Sequence, residues 1–147
     1  MPYSARRRRF YQRFAKVHGA LLLKTKGRPH RLGRNQFALV LETVGRRSGE
    51  LRQLPLLYMP YDNSFLIIAS NYGQERPPAW WFNLQAAPEA HVLWSGQRLA
   101  VRWRLLDGQE REDVIPQCRA YNPQWNEYFT SVERELPIVV LERVGDA

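Results

Sequence analysis

Residues 37–59 read FALVLETVGRRSGELRQLPLLYM, and this stretch decides the fold. Apolar and β-branched residues run from Phe37 to Val44, stop at a Gly-Arg-Arg-Ser-Gly turn over residues 45–49, and resume from Leu51 to Met59. Two such runs joined by a glycine-bounded turn read as an antiparallel pair of strands. Asp62-Asn63 marks a further turn before an apolar run at 65–70, so the three segments form a meander. Farther out, Ser95-Gly96 separates runs at 90–94 and 97–106; there Val101, Trp103 and Leu105 alternate with Arg102 and Arg104, and the arginines are expected to face water. Residues 137–143 read as a last, fully buried strand. Pro77 and Pro78 before residues 79–86, with Pro88 beyond, predict a short helix. Asp107 and Glu110 have capping-box spacing, which predicts a helix toward Arg119, and the aromatic-rich stretch 121–132 reads as a second short helix or an ordered loop. Six strands, paired mostly with their neighbours in sequence, argue for a mainly β fold, a small antiparallel barrel rather than a doubly wound sheet.

The chain has 147 residues, enough for one compact domain. With 44% hydrophobic residues, including 5 Trp, 7 Tyr and 6 Phe, it can bury a proper core, which argues against a disordered chain. Its single cysteine, Cys118, excludes an internal disulfide and a multi-cysteine metal site and fits a reducing compartment. No apolar run approaches the roughly 20 residues of a membrane span, and no secretory signal is evident, so a cytoplasmic location is expected. The net charge of +8 is unevenly placed: residues 1–34 hold half of the 22 Lys and Arg and none of the 14 Asp and Glu. The organisation is therefore a basic arm, 1–34, and a mildly acidic body, 35–147. Tyr3, Phe10, Phe14, Val17 and Leu21 fall on one helical stripe, which predicts an amphipathic basic helix, followed by a basic linker at 24–34. Either the stripe packs on the body while the arginines stay solvated, or the helix lies on an anionic membrane surface at the inner face of the cell membrane. Nucleic acid is the weakest reading, because only Tyr3, Phe10 and Tyr11 stand near Arg6–Arg9 to stack on bases.

Familiar catalytic patterns are missing. His18, His30 and His91 are scattered, with no Cys, Asp or Glu at ligand spacing, so no metal is expected. Glu110, Glu112 and Asp113 lie at a helix start, where the helix dipole explains them. There is no P-loop and no G-x-G-x-x-G. What remains is an anion-and-aromatic signature. The turn at 45–49 offers Arg46, Arg47, Ser48 and backbone amides, with Arg52 on the next strand; it holds a phosphate or carboxylate, or else is a solvated hairpin turn. Pro55 to Tyr58 and Ile68 to Asn71 end neighbouring strands as an apolar wall with a polar tip. Trp80, Trp81, Tyr121, Trp125 and Tyr128 are core packing or the bed of a flat conjugated ligand.

Taken in order, Val44-Gly45-Arg46-Arg47-Ser48-Gly49, Arg52, Pro55-Leu56-Leu57-Tyr58, Ala69-Ser70-Asn71, Pro78-Ala79-Trp80, Asn83-Leu84, Pro88, Tyr121, Tyr128 and Arg134-Glu135-Leu136-Pro137-Ile138-Val139-Val140-Leu141 resemble the deazaflavin-dependent nitroreductase family. The resemblance spans most of the chain beyond the arm, and the basic N-terminal helix is also similar. It implies a six-stranded split β-barrel, akin to FMN-binding barrels, that holds reduced coenzyme F420. The hydride would pass from the deazaflavin ring to a small electrophile, a quinone or sometimes a nitroaromatic or an enone. On this resemblance Arg46, Arg47, Ser48 and Arg52 bind the phosphodiester and oligoglutamate tail. Pro55, Leu57 and Ala69 line the ring, Asn71 is a further coenzyme-binding residue, and Trp80 and Asn83 close the site. Ser70, Tyr121 and Tyr128 are the candidate proton donors, and Trp125 and Tyr128 would meet the substrate.

Several positions depart from the family. The lid, usually Tyr-Pro-x-Tyr-x-x-Tyr, is one residue longer here and has Trp125 as its middle aromatic. The glycine pair usual after Ser-Asn is Tyr72-Gly73, and Trp81 stands where tyrosine is common. The alternatives to F420 are an FMN-dependent enzyme of the same barrel and a non-catalytic carrier of lipid or another hydrophobic ligand; a homodimer is an open expectation.

Overall fold

The computed structural model describes residues 31–33, 36–87 and 89–145. The expected amphipathic helix and most of the basic linker lie outside the described residues. Within them the strands are β1 (Arg31–Gly33), β2 (Gln36–Val44), β3 (Leu51–Tyr61), β4 (Ser64–Ile68), β5 (Glu89–Trp94), β6 (Gln97–Leu105) and β7 (Ile138–Arg143). The helices are α1 (Ala79–Ala86), α2 (Gly108–Tyr121) and α3 (Pro123–Ser131), with a single 3₁₀ turn at Asn71–Gly73. Hydrogen bonding runs β2-β3-β4-β7-β6-β5 and returns to β2 through β5, so six antiparallel strands close the expected barrel. β1 adds a short pairing with β2, Arg31 opposite Phe37 and Gly33 opposite Gln36, inside what reads from sequence as linker.

Turn chemistry sets the register. Asp62 and Asn63 both have positive φ, as do Ser95 and Gly96; two left-handed central residues mark the tight hairpin turn whose twist suits flanking strands. The side chains then sort by strand alternation into two cores. Leu39, Leu41, Tyr58, Phe65, Ile67, Val139 and Leu141 point into the barrel, where α1 contributes Trp80, Trp81 and Leu84. Met59, Leu66, Ile68, Ile138 and Val140 point outward against Val114, Cys118, Trp125 and Tyr128 of α2 and α3. β4 and the first part of β7 are thus covered on both faces, which explains why Phe65–Ile68 and Ile138–Leu141 are apolar without a break.

Two expectations need correction. Asp107 does precede α2, but its side chain makes no capping bond. Glu110 is instead drawn out of the helix start by Arg104 and by the Tyr61 hydroxyl, which donates to it at 2.8 Å. The alternation of β6 also breaks at its end: Leu105 is exposed and Leu106 takes the buried place, its amide bonded to the Ile138 carbonyl at 2.9 Å. Arg104 is accordingly held by Glu110 and Glu142 rather than only solvated.

The barrel is split. β3 pairs with β2 from Leu51 to Tyr58, but with β4 only from Met59 to Tyr61. β4 stops at Ile68, short of the expected residue 70, and parts from β3 toward β7. The 51–57 half of β3 therefore has a partner on one side alone. If the β3–β4 register continued, Ser70 would face Pro55 and Asn71 would face Leu54.

Candidate active site

A cleft of about 460 Å³ opens where the 45–48 turn, the start of β3 and the N-terminus of α1 meet. The turn is built by its own short-range bonds. The Gly45 amide donates to the Glu50 carbonyl and the Gly49 amide to the Gly45 carbonyl, both at 2.8 Å, and Gly49 takes a φ of +73° that side chains disfavour. A Cβ on Gly45 would lie 2.6 Å from Ser48 Oγ and 3.3 Å from Arg52 Nε, so glycine lets these two groups close over the backbone. Ser48 Oγ accepts from the Glu50 amide at 3.1 Å and from Arg52 Nη2 at 3.3 Å, which leaves its own proton to donate.

Asn83 is the post to which this turn is tied. Buried on α1, it accepts from the Arg46 amide (3.2 Å) and Arg46 Nη1 (3.1 Å) and donates to Thr43 Oγ1 (3.4 Å). The Arg46 guanidinium also rests 5.1 Å from the Phe82 ring centre, with Arg76 on the same ring at 5.5 Å. Arg47 makes no hydrogen bond or ion pair among the described residues, and besides Ser48 Oγ Arg52 reaches the exposed Glu50 carboxylate, at 3.7 Å. The nearby buried carboxylate, Glu42, is already engaged by Arg98 Nε and Gln53 Nε2, each at 3.1 Å. The mouth of the cleft is consequently cationic, with three guanidiniums against one solvated carboxylate.

Polarity falls away along β3. Arg52, Leu54, Leu56 and Tyr58 share one face by alternation; Arg52 and the 41% exposed Leu54 line the cleft, and Leu56 packs on the barrel core beside Tyr58. Trp80 and Ala79 form the opposite wall. Trp80 is fixed edge-on to Trp81 (6.4 Å, 72°), and Trp81 to Trp103 (5.1 Å, 82°), whose Nε1 donates to the Leu84 carbonyl at 2.9 Å. A ligand with an anionic tail and a flat apolar head finds matching surfaces in sequence.

Of the residues singled out from sequence, Arg46, Arg47, Ser48, Arg52, Trp80 and Asn83 meet in this cleft. Pro55 and Leu57 lie on the opposite face of β3 from Leu54, where Leu57 packs with Ala38, Val40 and Leu93. They flank the split from one side, and Ala69, Ser70 and Asn71 flank it from the other. Ala69 is fully buried, its amide bonded to the Pro137 carbonyl at 3.0 Å. Ser70 is partly exposed and its hydroxyl makes no hydrogen bond among the described residues. The Asn71 side chain donates to the Arg76 carbonyl at 2.9 Å. Tyr121 donates to the Tyr58 carbonyl at 3.2 Å and stacks on Phe37. Trp125 and Tyr128, 5% and 2% exposed, are packed into the outer core, and Gln124 donates to the Tyr128 hydroxyl. Neither lines the cleft. Periodicity shows that α3 has an aromatic face; it does not show that the outside of the sheet receives it. Leu54, Gln53 and Thr43 were missed from sequence. Counting alternate residues back from Tyr58 would have found Leu54.

Burial pushes the Tyr58 and Tyr72 phenols up, and the Cys118 thiol up to about 12, so that cysteine is packing and no nucleophile. Among the described residues no group of His, Cys, Asp and Glu could hold a metal, and no helix is long and apolar enough to cross a membrane.

The family model described as F420H(2)-dependent quinone reductase matches residues 7–143, and the chain belongs to this family. An F420H(2)-dependent quinone reductase of Mycobacterium tuberculosis is 27% identical over 134 residues, 87% of this chain and 89% of that protein. The solved structure of an F420-H2 dependent reductase (FDR-A) is 30% identical, covers 77% of this chain and 98% of its own, and superposes with a TM-score of 0.65. Another, described as a domain-swapped dimer, is 28% identical over 90% of this chain and 97% of its own, with a TM-score of 0.66. The resemblance read from the sequence holds, and so does the barrel it implies.

Proposed function

We propose that this protein is an oxidoreductase that uses reduced coenzyme F420 to reduce a quinone, and that the carrying observation is the arginine-lined cleft continuous with the split edge of β3. The residues present fit the coenzyme. Its phosphodiester and oligoglutamate tail need fixed cations and donors, which Arg46, Arg47, Arg52 and Ser48 supply, with Gly45 leaving room for their close approach. Its flat ring needs an apolar slot, for which Leu54 and Trp80 offer apolar surface in the cleft, with Pro55 on the unpaired edge of β3 and Ala69 to Asn71 across the split. FMN lacks the acidic tail that would use all three arginines, and a carrier of neutral lipid would use none.

The reduced deazaflavin supplies a hydride from a ring carbon. The chain's own part is to hold ring and quinone face to face, keep water from between them, and provide a proton for the quinol oxygen. Ser70 is the proposed proton source: its hydroxyl is uncommitted and stands at the split. The Tyr121 hydroxyl is spent on the Tyr58 carbonyl, and Tyr128 is sealed in the outer core. Trp81, with no hydroxyl, adds only packing.

We place the enzyme in the cytoplasm, with residues 1–34 on an anionic membrane surface where lipophilic quinones reside. The composition of that segment supports this, and vesicle co-sedimentation of the whole chain against a chain lacking it tests it; equal pelleting would discard the idea. A homodimer is supported by the relative described as domain-swapped. The function itself is tested by titrating the protein with reduced F420 and then adding a menaquinone analogue. Binding that weakens steeply with salt, followed by quinone-dependent oxidation of the coenzyme, is expected. No binding at millimolar coenzyme would overturn the proposal.

A further inference from the structure

The far wall of the split is strained and is held from behind. Asn71, Tyr72 and Gly73 have φ of 48°, 55° and 77°, three left-handed residues in succession, of which Tyr72 carries a side chain that disfavours that region. Such a run persists only where its surroundings over-determine it. One side chain grips both ends of it. Arg134, between α3 and β7, donates from Nη2 to the Ser70 carbonyl at 2.8 Å and the Ala69 carbonyl at 3.2 Å, and from Nε to the Gln74 carbonyl at 2.9 Å. These three carbonyls bracket the strained triplet on both sides. Among the described residues no carboxylate neutralises Arg134; the adjacent Glu135 turns to Arg111 at 3.1 Å. A partly buried guanidinium with its charge directed at backbone dipoles, and with Nη1 buried and unpartnered, is a costly arrangement for a residue that serves folding alone.

We infer that Arg134 is a positioning residue: by clamping the carbonyls of Ala69, Ser70 and Gln74 it fixes the strained loop and hence the Ser70 hydroxyl against the split. The link to turnover rests on the proposed function; the clamp itself does not. Lysine keeps the charge and loses the planar fork, so it cannot bridge both sides of the triplet. Glycine at position 72 adopts the left-handed region freely and removes part of the need for a clamp.

The test compares wild type, Arg134→Lys and Arg134→Lys with Tyr72→Gly. Hydrogen exchange is read at the Gly73 and Gln74 amides, which bond to the Ser70 and Asn71 carbonyls at 3.0 and 3.1 Å. In Arg134→Lys, exchange at these two amides should rise at least about tenfold while β4 and β7 stay protected. The kcat for the quinone should fall about tenfold or more, while the Kd for reduced F420 rises by a smaller factor, because the arginines that hold its tail are untouched and only the loop beside its ring is loosened. Adding Tyr72→Gly should recover part of both losses. Unchanged exchange, a loosened loop with wild-type kcat, or a double variant that recovers neither would each overturn the inference. Arg134→Gln replaces the lysine variant if that chain does not fold, with the same expectations. The exchange measurement needs neither coenzyme nor quinone. A wild type that reduces no quinone would therefore remove the proposed function and leave the clamp to be judged by exchange, whereas full turnover in Arg134→Lys would remove the clamp's role alone.

Discussion

Replacing Asn83 by alanine unties the cationic turn from α1, and the size of the effect follows from three bonds. The two to Arg46, at 3.2 and 3.1 Å, open onto the cleft, so water can replace the lost acceptor. The bond to Thr43 Oγ1, at 3.4 Å, is buried, and that hydroxyl is left without its donor. At roughly 0.5–1 kcal/mol for each of the first two and about 1 kcal/mol for the third, the loss of stability should be about 2–3 kcal/mol. Coenzyme affinity should fall for a different reason. Arg46 is no longer pre-ordered, and immobilising a long side chain on binding costs about 1 kcal/mol, close to fivefold in Kd. Urea denaturation reads the first quantity and titration with reduced F420 the second. Asn83→Asp separates them: its carboxylate still accepts from Arg46, so the turn stays docked, but the added negative charge should weaken coenzyme binding more than alanine does. A stability loss under about 0.5 kcal/mol, within the range of an ordinary surface change, would refute the reasoning; so would aspartate binding the coenzyme as well as asparagine does.

Other positions make independent claims. Gly45→Ala places a methyl 2.6 Å from Ser48 Oγ and should weaken coenzyme binding by displacing Ser48 and Arg52; these side chains are exposed and free to shift, so the urea midpoint should fall little although Gly45 itself is buried; unchanged affinity would show that the two side chains are not tail ligands. Cys118, with its thiol pushed from 9.0 to about 12, should resist alkylating reagents at pH 8 until the chain unfolds. Because that pKa is raised by folding, its contribution is full below pH 9 and is lost as pH climbs toward about 12, so Cys118→Ala should flatten the alkaline limb of the stability curve. Bonds from Arg104 and Tyr61 hold Glu110 below its ordinary 4.5; this contribution is present above that pH and lost as the pH falls through the folded value, so Glu110→Gln should flatten the acid limb of urea midpoints.

The barrel was legible because its signals are local. Asp62-Asn63 and Ser95-Gly96 carry the left-handed residues that a tight hairpin requires, and the uninterrupted apolar runs of β4 and β7 announce burial on two faces. The cationic turn was legible for the same reason: Arg46, Arg47, Ser48 and Arg52 lie within seven residues of one another. What could not be read depends on partners distant in sequence. That β3 loses β4 beyond Met59 is decided by β7, which draws β4 away. Trp125 and Tyr128 look from sequence like a lid and are instead the seam between α3 and the sheet. Glu110 has the spacing of a cap, yet Tyr61, 49 residues earlier, and Arg104 compete for it successfully. Arg134 sits 64 residues from the Ser70 carbonyl it grips, and nothing in its own segment betrays that contact.

The most direct measurement is a single turnover: protein loaded with reduced F420, mixed rapidly with a menaquinone analogue, and followed by the return of the oxidised deazaflavin spectrum. The account expects oxidation that saturates with quinone and slows by about 10²-fold or more in Ser70→Ala if that hydroxyl is the proton source. Oxidation no faster than in a protein-free mixture would contradict the central claim that this cleft and split bring a deazaflavin and a quinone together.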